Sequence, residues 1–245
     1  KISINSFVTM KITFANLLAA ICERLPEGNI DDVSDALGMD TRIGRKYLTG
    51  GLGYGGPCFP RDNVAFAYLA SKLGVDDTVP MSNHNFNKQL VFNLIETLKN
   101  LVGKEKTIGV LGLSYKPHSH VIEQSASISL CQNLVELGYK VAVHDQLAME
   151  NAKVVLADEV IFYENVLECL KAVEVVVIAN PDPVYKNLDW SVFDSPKTPK
   201  IVYDCWRIVP QLSAFSNVKY VGAGTSFDNE KNTFLMKGLS EENSS

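Results

Sequence analysis

Nowhere in the 245 residues do two cysteines stand close enough to form a C-x-x-C pair. The five cysteines, Cys22, Cys58, Cys131, Cys169 and Cys205, are widely spaced. That spacing matches neither a disulfide framework nor a zinc site, and it implies a reducing, cytoplasmic compartment and no bound metal. A basic block is missing too. The formal net charge is −5, which argues against non-specific nucleic-acid binding, although a local pocket can still gather cations around phosphates. The longest apolar stretches are interrupted by charges, with Lys11 and Glu23 bracketing the first, so no membrane span or signal peptide is expected. Also absent is a convincing helix cap ahead of Ile4, Phe7, Val8, Ile12, Leu17, Leu18 and Ile21, whose helical spacing is under way at the first residue. The chain is therefore expected to be a piece of a longer one, cut inside or just before its first helix.

What is present divides by texture. Apolar residues make up 46% and charged residues 21%, ordinary values for a globular protein. Residues 1–103 read as almost all helix: one to about Arg24, a second in "NIDDVSDALGMD" with acidic residues in its first turn, a third in "PRDNVAFAYLASKLG" and a long fourth from about Pro80 to Val102. Pro60 suits a first helical position, and Gly74 and Gly103 suit helix ends. From Lys106 short β-branched runs take over, "TIGVLGL", "KVAVHD", "EVIFY", "VEVVVIAN" and "KIVYDC", separated by helical patterns. Buried strands alternating with helices predict a parallel sheet covered on both faces. The fold class is thus α/β: a helical central domain over 1–103, then a Rossmann-like domain over 104–245. Its polar tail, "NEKNTFLMKGLSEENSS", is expected to fray. No internal repeat is visible.

The chemistry concentrates in "GGLGYGGPCFPRD", residues 50–62, which gathers five glycines around one thiol. Such a cluster implies tight turns or close backbone approach. With Pro60 opening a helix, Cys58 lies just before a helix N-terminus, a setting in which thiols act as nucleophiles. Asp62, four residues on, would be within reach of the sulfur, there to manage a proton or position a water. The plain alternative is a structural cysteine in a glycine-rich turn. Lys1 and Asn5 are also four apart and share a helix face, where an ammonium beside an amide suits an oxyanion or a water; a solvent-exposed lysine is the simpler account. Arg42, Arg45, Lys46 and Tyr47 precede the glycines and suit a phosphate or sugar ligand, or else form a solvated loop. The first strand of the sheet ends in "GVLGLSYKP", which lacks the G-x-G-x-x-G of a dinucleotide fold. Lys116 there and Arg207 after "KIVYDC" fall at the carboxyl edge of the sheet, where open α/β sheets bind ligands.

These residues resemble one family. "GGLGYGGPCFPRD" is similar to the catalytic-cysteine segment of the nucleotide-sugar 6-dehydrogenases, of the form G-[FY]-G-G-x-C-[FL]-x-K-D. "KISINSF" looks like that family's K-x-x-x-N-x-[FY] helix, "DTRIG" like its D-x-R-I-G, and "GVLGLSYKP" like its G-[LV]-[AS]-[FY]-K, in matching order over nearly all of the chain. The resemblance implies NAD-dependent oxidation of a UDP-sugar alcohol, through an aldehyde and a cysteine thioester, to the uronic acid. It implies Cys58 as nucleophile, Asp62 and Lys1 handling the proton and the hydrolytic water, and Asn5 holding the reacting oxygen. For the substrate it implies Tyr47, Leu48, Thr49, Gly50 and Gly51 with Tyr54 and Gly55, Arg42 reaching across a homodimer, Lys116 on the substrate and Arg207 on its diphosphate side. Arg61 replaces the family's usual lysine and would approach NAD. The glycines would let the backbone close around the sugar nucleotide.

Two departures stand out. The family's N-terminal dinucleotide-binding domain is missing, so the chain alone is expected to bind NAD poorly or not at all and to be inactive. After its lysine motif the family often continues T-x-D-x-R-E-S, with the Arg touching NAD, whereas "HSHVIEQS" places Glu123 and Gln124 at the Arg and Glu positions. "PCFPRD" and "RIG" favour UDP-glucose as substrate. The alternatives are a GDP-mannose or UDP-N-acetylhexosamine enzyme and a non-catalytic dimerisation and nucleotide-binding fragment. A cysteine hydrolase would need a histidine poised at Cys58, and no motif ties one to it.

Overall fold

A computed structural model describes residues 1–103, 105–193 and 200–242. Four helices come first: α1 (Ile2–Cys22), α2 (Ile30–Met39), α3 (Phe59–Lys72) and α4 (Thr78–Leu101). α1 is amphipathic the wrong way round for a lone helix. Ser6, Thr9, Asn16 and small alanines face inward, while Ile4, Phe7, Phe14, Leu17 and Ile21 are exposed. The inward polar groups hold the bundle together. Asn83 of α4 donates to Thr9 Oγ1 at 2.8 Å and accepts from Thr13, and Asn63 of α3 donates to the Pro80 carbonyl at 2.7 Å. Buried polar groups satisfied in this way fix one packing of α1, α3 and α4. By length and apolarity alone α1 is enough to cross a bilayer; in the fold it packs against α3 and α4.

Helix starts follow the local chemistry. Asn29 caps α2 by accepting from the Asp31 amide at 3.0 Å. α3 begins one residue before Pro60, and α4 begins before Pro80. Both prolines sit in a first turn, where a missing N–H leaves no hydrogen bond unmade.

The remainder is a six-stranded, all-parallel sheet: β1 (Thr107–Leu111), β2 (Lys140–His144), β3 (Ile161–Phe162), β4 (Val175–Ile178), β5 (Lys200–Asp204) and β6 (Val218–Gly222), in the order β3-β2-β1-β4-β5-β6. Successive residues of β1 serve opposite faces. Ile108 and Val110 join one core with α4, α5 (Ala126–Glu136) and α6 (Met149–Leu156). Leu111 joins the other, with α7 (Val166–Ala172), α8 (Pro183–Lys186), Trp190 and Phe193. Strand order reverses between β1 and β4, which places a crevice at their carboxyl ends. β6 has no counterpart among the predicted strands, because its exposed Lys219 breaks the apolar run on this outer strand. The tail forms α9 (Asn229–Glu242) where fraying was expected. Asn232 anchors it by donating to the Glu23 carbonyl at 2.9 Å, and residues 243–245 lie outside the described residues.

The carboxyl edge of the sheet is seated on α1 and α2. Glu23 accepts from the Gly224 amide at 2.8 Å, the Ile30 amide donates to the Gly224 carbonyl at 2.9 Å, and Asn29 bridges to Thr225. Arg207 closes the junction. Its guanidinium, 5% exposed, lies 2.8 and 2.9 Å from the two Asp31 oxygens and donates to the carbonyls of Gly50 and Ala223. Asp31→Asn leaves that buried cation with carbonyl partners only and is expected to cost about 2 kcal/mol in urea unfolding. Asp35→Asn, which removes the solvent-exposed partner of Arg45, should stay within about 0.5 kcal/mol. Equal effects would deny the junction its role.

Candidate active site

The glycine-rich loop runs between α2 and α3 and is held from three sides. From α1, Asn16 accepts from the Gly51 amide at 2.8 Å. From α4, Asn87 makes paired hydrogen bonds of 2.9 Å to the amide and carbonyl of Tyr54. From the sheet side, the Glu123 carbonyl accepts from the Gly56 amide at 2.9 Å, and Leu52 is buried in the main core. Two glycines are required by what presses on them. A Cβ at Gly51 would come within 2.7 Å of the Trp206 ring, and one at Gly56, whose φ is +82°, would enter the Tyr115 ring. At these two positions the protein's own aromatic rings fill the space a side chain would need, while Gly53 and Gly55 of the same loop line a cavity.

Cys58 stands at the N-cap of α3. It is the exposed cysteine of the five; the other four are buried, and all five are free thiols. One turn on, Asp62 is buried, and its Oδ2 accepts from Asn5 Nδ2 at 2.7 Å, while Arg61 donates to Oδ1 at 3.1 and 3.2 Å. The Asn5 hydrogen bond, with smaller help from Arg61 and Lys1, holds the Asp62 carboxyl below its ordinary range against the opposing effect of burial. Asp62 is therefore an anion throughout the neutral range. Lys1 is exposed at the head of the same helix as Asn5.

A cavity of about 470 Å3 opens in front of the thiol, lined by Ile12, Tyr47, Thr49, Gly53, Tyr54, Gly55, Pro57, Cys58, Phe59, Tyr115, Lys116 and Trp206. That volume suits a small-molecule ligand. Helical residues form one wall, and the loops after β1 and β5 form the other. Of the sequence candidates, Cys58, Tyr47, Thr49, Tyr54, Gly55 and Lys116 line it together. Leu48, Gly50, Gly51 and Arg207 do not: Leu48 is core, and the Gly50 carbonyl and Arg207 belong to the junction with Asp31. Arg42 is turned outward, its side chain 87% exposed and paired with Asp40. The sequence reading passed over Trp206, although the carboxyl-edge argument that picked out Arg207 applies equally to its neighbour.

Two buried aspartates shape the loops on the sheet side. Asp204 accepts from the amides of Trp206 and Val209 at 3.0 and 2.9 Å, folding the turn after β5. Asp145, after β2, accepts from the amides of Leu113, Ser114, Leu147 and Ala148 at 2.6–3.1 Å. In a dinucleotide fold the amides of the first loop face a pyrophosphate. Here a protein carboxylate occupies them, and Asn180 packs where a Cβ at Gly112 would fall. This sheet does not fit a dinucleotide.

Two models of one family match the chain: the central domain of the UDP-glucose/GDP-mannose dehydrogenase family over residues 1–89, and the UDP-binding domain of the same family over 109–211. The chain belongs to the UDP-glucose/GDP-mannose dehydrogenase family. A UDP-glucose 6-dehydrogenase of Rickettsia felis is 34% identical over 93% of this chain and 52% of its own length. The UDP-glucose 6-dehydrogenase TuaD of Bacillus subtilis is 31% identical over 77% of this chain and 41% of its own. A solved UDP-glucose dehydrogenase from Pyrobaculum islandicum superposes with a TM-score of 0.82 at 33% identity, covering 92% of this chain and 50% of that one. The chain thus spans about half the length of the relatives it matches in this family.

The site geometry yields two expectations. A thiol reagent should label one cysteine rapidly in the folded chain and all five in denaturant; Cys58→Ser should remove the rapid phase. Asn5→Ala takes away the main stabiliser of the Asp62 anion, so the Asp62 carboxyl should titrate at higher pH, as followed by carboxyl NMR. An unchanged titration would assign the depression to Arg61 instead.

Proposed function

We propose that this chain is the substrate-binding and thiol-bearing portion of an NAD-dependent 6-dehydrogenase that oxidises UDP-glucose to UDP-glucuronate. In this reading residues 1–103 are the central domain and 104–245 the UDP-sugar domain. The observation that carries it is an exposed thiol at the mouth of a helix, lining a nucleotide-sized cavity, with an ionised carboxylate one turn away. UDP-glucose is favoured over GDP-mannose or an N-acetylhexosamine by relatives above 30% identity that bear that substrate in their names.

The chain's own residues supply the following. The Cys58 sulfur adds to the aldehyde carbon at C6, its proton leaves for the carbonyl oxygen, and the sugar stays covalently held for the second oxidation. Loss of a hydride to the dinucleotide oxidant and of the hydroxyl proton to a base converts that thiohemiacetal to the thioester, and attack by water then releases the acid, its proton restoring the thiol. Asp62, kept anionic by Asn5, accepts a proton from the substrate hydroxyl or from the hydrolytic water, and the Lys1 ammonium balances the charge. Lys116 meets the sugar nucleotide from the opposite wall, and Tyr47 and Thr49 close over it. NAD as the oxidant has no place on this sheet, and Arg61 is the residue here assigned to approach it. The four buried free thiols support a cytoplasmic location. The outward apolar face of α1 supports a homodimer with that face buried, and the outward-turned Arg42 would have to exchange its Asp40 partner to serve a neighbouring subunit's site.

With UDP-glucose and NAD, this chain alone should form no NADH. An enzyme containing it together with a dinucleotide-binding domain should form two NADH per sugar. In that enzyme Cys58→Ser should cut uronic acid output to below about a thousandth, and Asp62→Asn should slow turnover by about 10²–10⁴-fold. Full double oxidation by the Cys58→Ser enzyme would refute the covalent role.

A further inference from the structure

We propose that Trp206 is the platform on which the uracil of the nucleotide sugar stacks, which makes it the residue that sets where the base ends and the reacting carbon begins. The inference rests on the functional reading above and assigns a part of that cavity.

Position comes first. α1 runs beside the cavity, lines it at Ile12, and gives a scale for the distance between its two ends. Near its start Asn5 touches Asp62, beside the thiol. Eleven residues later Asn16 holds the Gly51 amide, and Gly51 lies against the Trp206 ring. At 1.5 Å per residue those two points are about 16 Å apart, the span of a hexose, a diphosphate and a base laid end to end. Lys116 lines the same cavity and is available to the phosphates. If the sugar carbon sits at Cys58, the far end of an extended ligand arrives at Trp206.

Rigidity and free ring surface come next. The Trp206 indole N–H donates to the Ala179 carbonyl at 2.9 Å, its backbone amide donates to Asp204 at 3.0 Å, and Gly51 backs the six-membered ring. Tyr47 and Tyr54 each meet Phe59 edge-to-face, at 6.3 Å between centroids, so the aromatics beside the thiol are engaged with one another. Among the described residues two cavity-lining aromatics, Tyr115 and Trp206, are in no such pair; Tyr115 carries Lys116 Nζ over its ring at 5.4 Å and lies against Gly56 near the thiol, which leaves Trp206 as the unengaged ring at the far end. A fixed, unstacked aromatic surface inside a ligand cavity is what a nucleobase uses, because every base offers a π-face.

The chain has two tryptophans. Trp190 is buried against Phe193, so a ligand-dependent change in emission reports Trp206. Titrating this chain with UDP, with calorimetry in parallel, should change the emission in step with the heat of binding. Inorganic pyrophosphate and glucose 1-phosphate should leave it unmoved, and Trp206→Phe should abolish the change while binding UDP within about threefold of the parent. Trp206→Ala should weaken UDP about tenfold, or ~1.4 kcal/mol. UDP binding by calorimetry with unaltered emission, tighter binding of GDP than of UDP, or an alanine variant within twofold of the parent would each overturn the assignment. Absence of any UDP binding would bring down the functional reading itself, and this one with it. Should the alanine variant fail to fold, the native titration and the phenylalanine variant decide the question alone.

Discussion

The contact between the glycine-rich loop and the aromatic rings of the sheet edge is the constraint from which the site follows. Gly51 lies against Trp206, and Gly56 against Tyr115. Side chains at those two positions would push the loop off the sheet, and with it the N-cap residue of α3, which is Cys58. The thiol is therefore positioned less by its own hydrogen bonds than by the lack of side chains nearby. Asn16 and Asn87 add directional bonds to the loop backbone, so the entropy lost on ordering five glycines is offset by contacts on both flanks. The Arg207–Asp31 pair protects the same geometry from outside, since it joins α2 to the turn that carries Trp206 and also holds the Gly50 carbonyl.

The sheet has the strand order of a dinucleotide fold and none of its phosphate machinery. One substitution of chemistry accounts for both facts. The amides of Leu113 and Ser114, which would face an anion in such a fold, are already bonded to the Asp145 carboxylate. An internal anion thus does the work of a bound one: it orders the loop after β1, and that loop, freed from a cofactor, presents Tyr115 and Lys116 to the cavity instead. Asn180 and Ser125 complete the bracing by bonding to Ser114 and Leu113. The loops at the β1/β4 reversal still face the cavity, where the general rule for open sheets places a ligand.

Much of this was legible in the residues, for identifiable reasons. β-branched runs alternating with helical periods specify a parallel sheet whatever sits on it, and "PCFPRD" specifies a thiol at a helix start because proline is tolerated there. The roles of the glycines were not legible. Glycine density signals close approach without naming the approaching group, and the groups proved to be Trp206 and Tyr115, distant in sequence. The pairing of Arg207 was hidden for a related reason. The carboxyl-edge rule locates a residue at a sheet end, yet cannot see that an aspartate in α2 will capture its guanidinium. β6 escaped because an outer strand tolerates an exposed lysine, which erases the apolar run.

α1 poses the remaining physical question, and its composition answers it. A helix that is apolar on its outer face and polar on its inner one gains little from burial within this chain alone. Its inner face is committed to Asn83, Gly51 and Asp62 through Thr9, Asn16 and Asn5, at spacings fixed by the helical repeat. Those residues cannot be exchanged for apolar ones without losing the network that sets the loop and the carboxylate. The apolar residues that would ordinarily anchor such a helix are thereby displaced to the other side, where Ile4, Phe7, Phe14, Leu17 and Ile21 form a stripe in contact with water. A surface of that kind is tolerated when something covers it. Covering it with a second α1 would tie the placement of Asp62 and of the glycine-rich loop to assembly, because the helix that holds both through Asn5 and Asn16 would also be the helix that is clamped.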